Sequence, residues 1–156
     1  MTGNEGFRIV RWDIAAGRLD DILALVHAAF QGLDPPSSVL RETLLDFARR
    51  LRDEITLVAM ADEAIVGSMF CAAEGDALYL TRMAVADGWR GQGVGAALLA
   101  TAEDHGRAAA ASGLTLRVRR NLPGNRAYFE RHGFVVTAEG QDAGHPPYQV
   151  MERPLV

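Results

Sequence analysis

The stretch WRGQGVGAAL, residues 89–98, has glycine at every second position from 91 to 95, directly behind Arg90. Glycine weakens a helix start, yet an alanine- and leucine-rich helix is predicted to follow. The first N–H groups of a helix have no internal partner, and the helix dipole favours an anion there. Glycine permits positive φ and lets a ligand approach the backbone, and Arg90 adds a fixed positive charge. The stretch therefore predicts a phosphate-binding loop rather than a plain helix cap.

The surrounding residues restrict the kind of phosphate ligand. The chain has no lysine, since all sixteen basic residues are arginine, so a Walker loop is excluded. Gly91, Gly93 and Ala96 can be fitted to a dinucleotide fingerprint, G-x-G-x-x-[GA]. That fingerprint turns tightly off its strand, whereas residues 86–90 intervene here. Arginines occupy positions 119–120, where an acidic residue would hold a ribose, so a dinucleotide enzyme is disfavoured.

Size and composition indicate one ordinary globular domain. The chain has 156 residues, of which 49% are hydrophobic and 23% charged. The net charge of −4, with acidic and basic residues interspersed, gives no electrostatic basis for binding nucleic acid. No apolar run approaches the roughly 20 residues that span a bilayer, and the N-terminus lacks the pattern of a signal peptide. We therefore expect no membrane partner and a cytoplasmic location.

The sequence predicts neither a disulfide nor a metal site. Cys71 is the single cysteine and lies in an apolar run, so we interpret it as a small core residue rather than a nucleophile. The four histidines are scattered and make no metal-ligand spacing with Cys71 or with each other. The absence of lysine also excludes a Schiff-base mechanism.

Hydrophobic periodicity and turn residues predict seven strands and four helices in the order β-α-α-β-β-β-α-β-α-β-β. The strands are expected at residues 7–13, at three places between 54 and 87 with turns at 62–63 and 75–76, and at 114–120, 134–140 and 148–154. The first helix begins at Leu19, and the second begins near Ser38 with Leu40, Leu44, Phe47 and Leu51 on one face. The third runs from Val94 to Ala111, ended by 112–113, and the fourth from Pro123 to about His132, closed by Gly133.

Two segments resemble motifs of the GNAT superfamily of acetyltransferases. MAVADGWRGQGVGAALL, residues 83–99, is similar to the family's acyl-CoA-binding motif [RQ]-x-x-G-x-[GA], which Arg90, Gly93 and Gly95 fill. NLPGNRAYFERHGFV, residues 121–135, resembles the family's next motif, an asparagine-led helix ending in Gly-Phe. The element order agrees over residues 7–155. The resemblance implies a single α+β GNAT-like domain over residues 1–156, with a mixed, mostly antiparallel sheet of about seven strands and about four flanking helices.

The resemblance also implies roles for particular residues. The pyrophosphate of acetyl-CoA is expected on backbone N–H groups of the glycine loop, with Arg90 beside it. The pantetheine arm is expected on the fourth strand, where the Met83 N–H would stabilise the oxyanion of a tetrahedral intermediate. The expected cofactor-binding residues are Met83, Ala84, Val85, Arg90, Gly91, Gln92, Gly93, Val94, Gly95, Ala96, Asn125 and Phe129.

Proton transfer is the part of the chemistry on which this sequence departs from the family pattern. Histone-type members have a glutamate base where this chain has Tyr79, a poor base at neutral pH. Water, Glu74 or His145 remain alternatives. The family's general-acid tyrosine corresponds to Phe129, while a tyrosine stands one residue earlier, at Tyr128. Either Tyr128 protonates the leaving sulfur after a shift of the helix, or the thiolate leaves unassisted; we expect Tyr128 to lie near the cofactor and to contribute.

The resemblance implies an acetyl-CoA-dependent N-acetyltransferase that transfers acetyl directly to a primary amine, expected to be a small molecule. A protein N-terminal or side-chain acetyltransferase and a non-enzymatic acyl-CoA-binding regulatory domain are the alternatives. In this family the acceptor pocket involves the segments corresponding to residues 30–38 and 141–148. Arg82, Arg117 and Arg119 are candidates to bind an acceptor carboxylate. No metal is expected, and the oligomeric state stays open, a homodimer included.

Overall fold

The computed structural model describes residues 6–155 and contains seven strands and four α-helices. The strands are β1 Arg8–Arg11, β2 Ile55–Ala61, β3 Ala64–Glu74, β4 Ala77–Val85, β5 Gly113–Arg119, β6 Val135–Gly140 and β7 Tyr148–Pro154. The helices are α1 Leu19–Ala29, α2 Leu44–Asp53, α3 Val94–Ala108 and α4 Pro123–Arg131. The predicted element order and the α+β class are therefore confirmed.

The strands follow the order β1-β2-β3-β4-β5-β7-β6 in a mixed sheet. Strands β1 to β3 pair antiparallel, and β7 pairs antiparallel with both β5 and β6. The parallel pair β4–β5 is short, since only Leu78 and Tyr79 pair with Leu114 and Thr115. The last strand of the chain thus lies between β5 and β6, an order that the sequence analysis did not predict.

Two compact units can be distinguished, and the first contains residues 6–72 and 82–102. Its core combines α1, α2 and the central strands, because their apolar residues recur on one face of each element. Phe47 of α2 and Phe70 of β3 are fully buried and meet edge to face, with ring centroids 5.3 Å apart. Ile22 and Val26 of α1 belong to the same cluster.

The second unit contains residues 73–81 and 103–155. Leu114 and Leu116 of β5 and Met151 of β7 are buried, as their alternation along the strands predicts. Phe134, directly after α4, is 1% exposed and anchors the end of that helix.

The predicted start of the second helix is wrong. Residues Ser38–Arg41 form a separate 3₁₀ turn, and α2 begins only at Leu44. The Thr43 hydroxyl accepts from the Asp46 N–H while the Asp46 carboxylate accepts from the Thr43 N–H, a capping box that sets the helix start. Leu44 is consequently 47% exposed rather than part of the apolar face.

The predicted end of the third helix is also wrong. The helix α3 ends at Ala108, and Ala110 adopts φ +56° while the Ala111 N–H donates to the Gly106 carbonyl. Gly113 does not close the helix but begins β5. A Cβ on Gly113 would lie 2.9 Å from the Arg153 carbonyl oxygen, so glycine is needed there for the close approach of β7.

The other predicted elements are confirmed to within a few residues, including both hairpin turns and the Gly133 stop after α4. Among residues 6–155, no helix is both long enough and apolar enough to cross a membrane.

Candidate active site

The glycine loop, which we define as residues 90–95, ends the connection between β4 and α3 and includes the first two residues of α3. After β4 ends at Val85, a 3₁₀ turn covers Asp87–Trp89, and the loop then leads into α3. Gly91 has φ +73° and Gly93 has φ +88°, a region that only glycine adopts readily. A Cβ on Gly91 would meet no atom within 4 Å, so this glycine serves the backbone conformation and leaves open space beside it.

The loop ends at the first turn of α3. The Gly93 carbonyl accepts from the Ala97 N–H at 3.0 Å, so the helical ladder begins at that point. The amides of Val94, Gly95 and Ala96 precede the ladder and have no acceptor within the helix. Together with the dipole of a 15-residue helix, these amides form a site suited to an anion.

Gly95, the third of the alternating glycines, has a different role from Gly91 and Gly93. Gly95 is buried within α3, whereas Ala96 beside it is exposed. Gly95 is therefore a packing residue on the buried side of α3. Its amide belongs to the first turn of the helix.

The start of α3 is held in place by β3. Val94 is 1% exposed, and a Cβ on Gly67 would lie 2.6 Å from its Cγ1 atom. The same Cβ would lie 3.4 Å from the Ala84 carbonyl oxygen. Gly67 thus provides the space in which the first residue of α3 packs against β3 and β4.

Arg90 is held weakly and is exposed. Its Nε lies 3.4 Å from the Val85 carbonyl oxygen and 3.5 Å from Asp87 Oδ1, and its side chain is 57% exposed. Gln92 instead closes the loop, since its Nε2 donates to the Gly88 carbonyl at 2.9 Å. The charge of Arg90 is therefore available to an anionic ligand. If pantetheine also donates a hydrogen bond to the Val85 carbonyl, that oxygen must accept from both the ligand and Arg90.

The end of β4 carries an irregularity just before Met83. Arg82 has φ +53° within the strand, and the backbone then continues through buried Ala84 to Ala86, whose N–H donates to the Val66 carbonyl at 2.9 Å. Met83 and Val85 are half-buried. The peptide unit bearing the Met83 N–H is attached directly to Arg82, so the conformation of Arg82 determines where that N–H points.

The Arg82 side chain forms an ion pair within the protein. Its Nε and Nη2 donate to the two carboxylate oxygens of Glu42 at 2.6 and 2.7 Å, and both side chains are 17% exposed. Arg82, a candidate from the sequence to bind an acceptor carboxylate, is thus paired with Glu42, which no motif in the sequence indicates. The two residues are 40 positions apart, and no local pattern relates them.

On α4, the rings of Tyr128 and Phe129 meet edge to face, with centroids 5.2 Å apart, and each also contacts a different partner. Phe129 meets Phe134 edge to face at 5.8 Å, whereas Tyr128 lies 4.7 Å from the His132 ring and 5.8 Å from the Arg131 guanidinium. Burial raises the pKa of Tyr128, with Arg131 opposing the shift. Tyr128 therefore keeps its proton at neutral pH, as a proton donor must.

Other predicted site residues lie at the surface. Asn125 is exposed on the first turn of α4, where its N–H donates to the Leu122 carbonyl. Glu74 and His145, the alternative bases, are both exposed.

Tyr79, at the position of the family's glutamate, forms part of an aromatic stack on the second unit. The Arg117 guanidinium lies 5.7 Å from the Tyr79 ring and 4.6 Å from the Tyr148 ring, and 3.5 Å from Asp142 Oδ2. These are cation–π distances, so Arg117 interacts with both rings.

Cys71 is confirmed as a buried residue, 1% exposed. Burial raises the pKa of its thiol to about 12, and the negative charge of Glu54 adds to the effect. A thiol that stays protonated at neutral pH is not a nucleophile. Within the described part of the chain, no group of three or more histidine, cysteine, aspartate or glutamate side chains is arranged to hold a metal ion.

Comparison with solved structures shows the same fold. The PaiA N-acetyltransferase of Thermoplasma acidophilum, determined with coenzyme A, superposes with a TM-score of 0.80 at 16% identity, over 95% of this chain and 98% of that one. The ribosomal-protein-S18-alanine N-acetyltransferase of Escherichia coli gives 0.76 at 18% identity, over 96% and 94%. A comparison with curated protein sequences gave no significant match.

The family is shown by the sequence itself. The family model described as the acetyltransferase (GNAT) family matches residues 19–134, a range that includes α1, the glycine loop and α4. That match covers most of the chain, and the superposed structures agree with it in fold. This chain belongs to the GNAT family of acetyltransferases and is an N-acetyltransferase.

Proposed function

We propose that the protein transfers the acetyl group of acetyl-CoA directly to the primary amine of a small molecule. One observation carries the proposal: Gly91 and Gly93 adopt positive φ immediately before α3, beside an exposed and weakly held Arg90. Unpartnered amides of the first turn of α3 and an exposed guanidinium thus lie within a few residues of one another, a combination that suits a diphosphate.

The residues fit the donor substrate in a second respect. Gly91 leaves open space where a side chain would otherwise stand, and Ala96 is exposed at the same turn. Backbone groups of Met83 and Val85 at the end of β4 would pair with the peptide-like pantetheine arm. Asn125 and Phe129 of α4 are proposed as further cofactor contacts.

Direct transfer requires a neutral amine, because an ammonium has no lone pair. The amine nitrogen attacks the thioester carbonyl, the C–N bond forms, and the carbonyl oxygen becomes an oxyanion that accepts a hydrogen bond from the Met83 N–H. One such donor is typically worth about 3 kcal/mol. The carbonyl double bond then re-forms as the C–S bond breaks, Tyr128 donates its proton to the departing sulfur, and the phenolate that remains takes a proton from solvent.

The proton lost by the amine goes to water in this proposal. Tyr79 stands at the position of the family's glutamate and lies against Arg117, and a phenol is a poor base at neutral pH. Glu74 and His145 are solvated surface residues. A water chain to solvent is therefore the route that the described side chains support best.

A small acceptor is supported by the charges near the connection between α1 and α2. A basic peptide would require carboxylates there that lack cationic partners, but Glu42 is neutralised by Arg82 and lies 3.3 Å from Arg50. A protein amine remains the alternative acceptor, and the test below distinguishes the two.

The test is a panel of amines, amino acids and short peptides incubated with acetyl-CoA, with release of free thiol as the readout. We expect thiol release with at least one small amine, together with the acetylated product by mass spectrometry. Transfer to peptides alone would favour a protein acetyltransferase. Binding of CoA without transfer to any member of the panel would contradict the proposal and favour an acyl-CoA-binding regulatory domain.

A further inference from the structure

Arg82 has an unusual backbone conformation for its place in the fold. Four residues other than glycine have positive φ among residues 6–155: Arg18, Asp62, Arg82 and Ala110. Three of them lie at a helix end or in a turn, where the left-handed region is common. Arg82 alone lies within a strand, and non-glycine residues keep this conformation only where the surroundings enforce it.

The Arg82 side chain is held by a bidentate ion pair. Glu42 accepts two charge-assisted hydrogen bonds from the guanidinium in a bidentate fork, at 2.6 and 2.7 Å. Such a fork fixes orientation as well as distance, and partial burial of both groups limits screening by solvent. The fork therefore ties the β4 irregularity to the segment that precedes α2.

Glu42 is itself anchored to the core of the first unit. Arg50 of α2 lies 3.3 Å from Glu42 Oε2 and donates to Glu54 Oε2 at 3.0 Å. The Arg50 guanidinium also lies 5.8 Å from the ring of Phe70, which is fully buried. The four charged groups, two arginines and two glutamates, thus sum to zero net charge. They pack against the buried face formed by α2 and β3.

We propose that Glu42 is a positioning residue for acetyl transfer, which acts by holding Arg82 in the left-handed conformation that directs the Met83 N–H. The Met83 N–H belongs to the peptide unit that follows Arg82, so loss of the fork lets this unit rotate toward regular extended geometry. Glu42 and Arg82 touch neither the donor nor the acceptor in this account. The inference rests on the proposed function, since it gives Glu42 a role only if the Met83 N–H contacts the thioester.

The first test measures the Met83 N–H directly and needs no acceptor. The five methionines are labelled with ¹⁵N, the Met83 signal is assigned by its loss in Met83→Leu, and its proton shift is compared between acetyl-CoA and CoA complexes. We expect a downfield shift with acetyl-CoA, which has the carbonyl, relative to CoA, which lacks it. In Glu42→Gln the difference should fall below half, with acetyl-CoA affinity within twofold of wild type.

The matched control is Asp21→Asn. Asp21 holds Arg18, another arginine with positive φ, through a 2.8 Å ion pair elsewhere in the same unit. This variant should leave the Met83 shift and the rate unchanged. If Glu42→Gln does not fold, Arg82→Lys makes the same test, because lysine keeps the charge but cannot form the fork.

The second test is kinetic. Glu42→Gln should lower kcat about tenfold with little change in the KM for acetyl-CoA, since small displacements of reacting groups reduce rates strongly. Glycine adopts positive φ without support, so Glu42→Gln should have little further effect on kcat in an Arg82→Gly background.

The outcomes separate this inference from the proposed function. An acetyl-dependent Met83 shift of equal size in wild type and Glu42→Gln, with equal kcat, would overturn the role of Glu42 alone. Absence of acetyl-CoA binding, or of any Met83 response in wild type, would overturn the proposed function and this inference with it.

Discussion

Gly67→Ala tests whether β3 sets the position of the first turn of α3, where we propose that the diphosphate binds. The added methyl would lie 2.6 Å from Val94 Cγ1 and 3.2 Å from the Ala59 Cβ, where about 3.6 Å or more is comfortable. Val94 cannot swing aside easily, because a β-branched side chain has one strongly preferred rotamer in a helix. The start of α3 must therefore move by several tenths of an ångström or more.

The expected cost follows from overpacking of a tight core, typically about 1–3 kcal/mol. Alanine is otherwise the better strand residue by roughly 0.5–1 kcal/mol, so a net destabilisation of about 1–2 kcal/mol is expected. For a chain of this size that corresponds to a fall in Tm of about 3–6 °C. Displacement of the α3 amides should also weaken acetyl-CoA binding about threefold to tenfold, by comparison with the cost of a single hydrogen bond.

The assays are urea unfolding and calorimetric titration of acetyl-CoA. Gly88→Ala is the matched control, since a Cβ there meets no atom within 4 Å and the site lies in the turn before the same loop. Adding Val94→Ala to Gly67→Ala removes the clashing atom, so the two substitutions should cost less together than the sum of their separate costs. A Gly67→Ala protein as stable as wild type, with unchanged acetyl-CoA affinity, would refute this coupling.

Three further predictions concern single side chains. Arg90→Ala should raise the KM for acetyl-CoA about tenfold and leave kcat nearly unchanged, the pattern of lost uniform binding; a large fall in kcat with KM intact would contradict it. Tyr128→Phe should lower kcat at least about a hundredfold if the hydroxyl is the general acid, and a change under about threefold would reject that role. Cys71 should not react with a disulfide reagent at pH 8 until the protein unfolds, and rapid labelling of the native protein would show that the thiol is accessible. Because its pKa rises from 9.0 to about 12 on folding, the unfolded chain loses that proton first, so stability should fall as pH rises from about 9 toward 12, and less steeply in Cys71→Ala.

Local patterns were sufficient for most of the secondary structure and for the glycine loop. The apolar spacing after Leu19 predicts α1, and the alternation of glycines behind Arg90 predicts a loop with positive φ before a helix. Both signals are local, because helical periodicity and the backbone conformation of glycine are determined within a few residues of the chain.

The errors arose where a tertiary contact or a cap decided a boundary. The capping box of Thr43 and Asp46 stands in the sequence as T-x-x-D and sets the start of α2, whereas the apolar spacing that begins at Leu40 favours an earlier start. Gly113 has the sequence pattern of a helix stop, yet glycine is required there by the close approach of Arg153 on β7. The close approach of β7 to Gly113 cannot be predicted without knowing that β7 lies beside β5.

The Arg82–Glu42 fork could not be predicted from the sequence. Its two residues are 40 positions apart, and a positive φ at an arginine within a strand contradicts intrinsic preference. Such conflicts between local preference and fold are expected where function constrains the backbone.

The central claim is that the glycine loop binds the diphosphate of acetyl-CoA, and one titration tests it most directly. Gly93→Val and Gly75→Val both place a branched residue at a glycine with positive φ, the first in the glycine loop and the second in the β3–β4 turn, so both carry similar backbone strain. Calorimetric titration with acetyl-CoA should show affinity reduced more than tenfold, about 1.4 kcal/mol or more, in Gly93→Val and unchanged in folded Gly75→Val. S-acetylpantetheine, which lacks the diphosphate, should bind wild type and Gly93→Val with equal affinity. Wild-type affinity for acetyl-CoA in a folded Gly93→Val protein would contradict the claim.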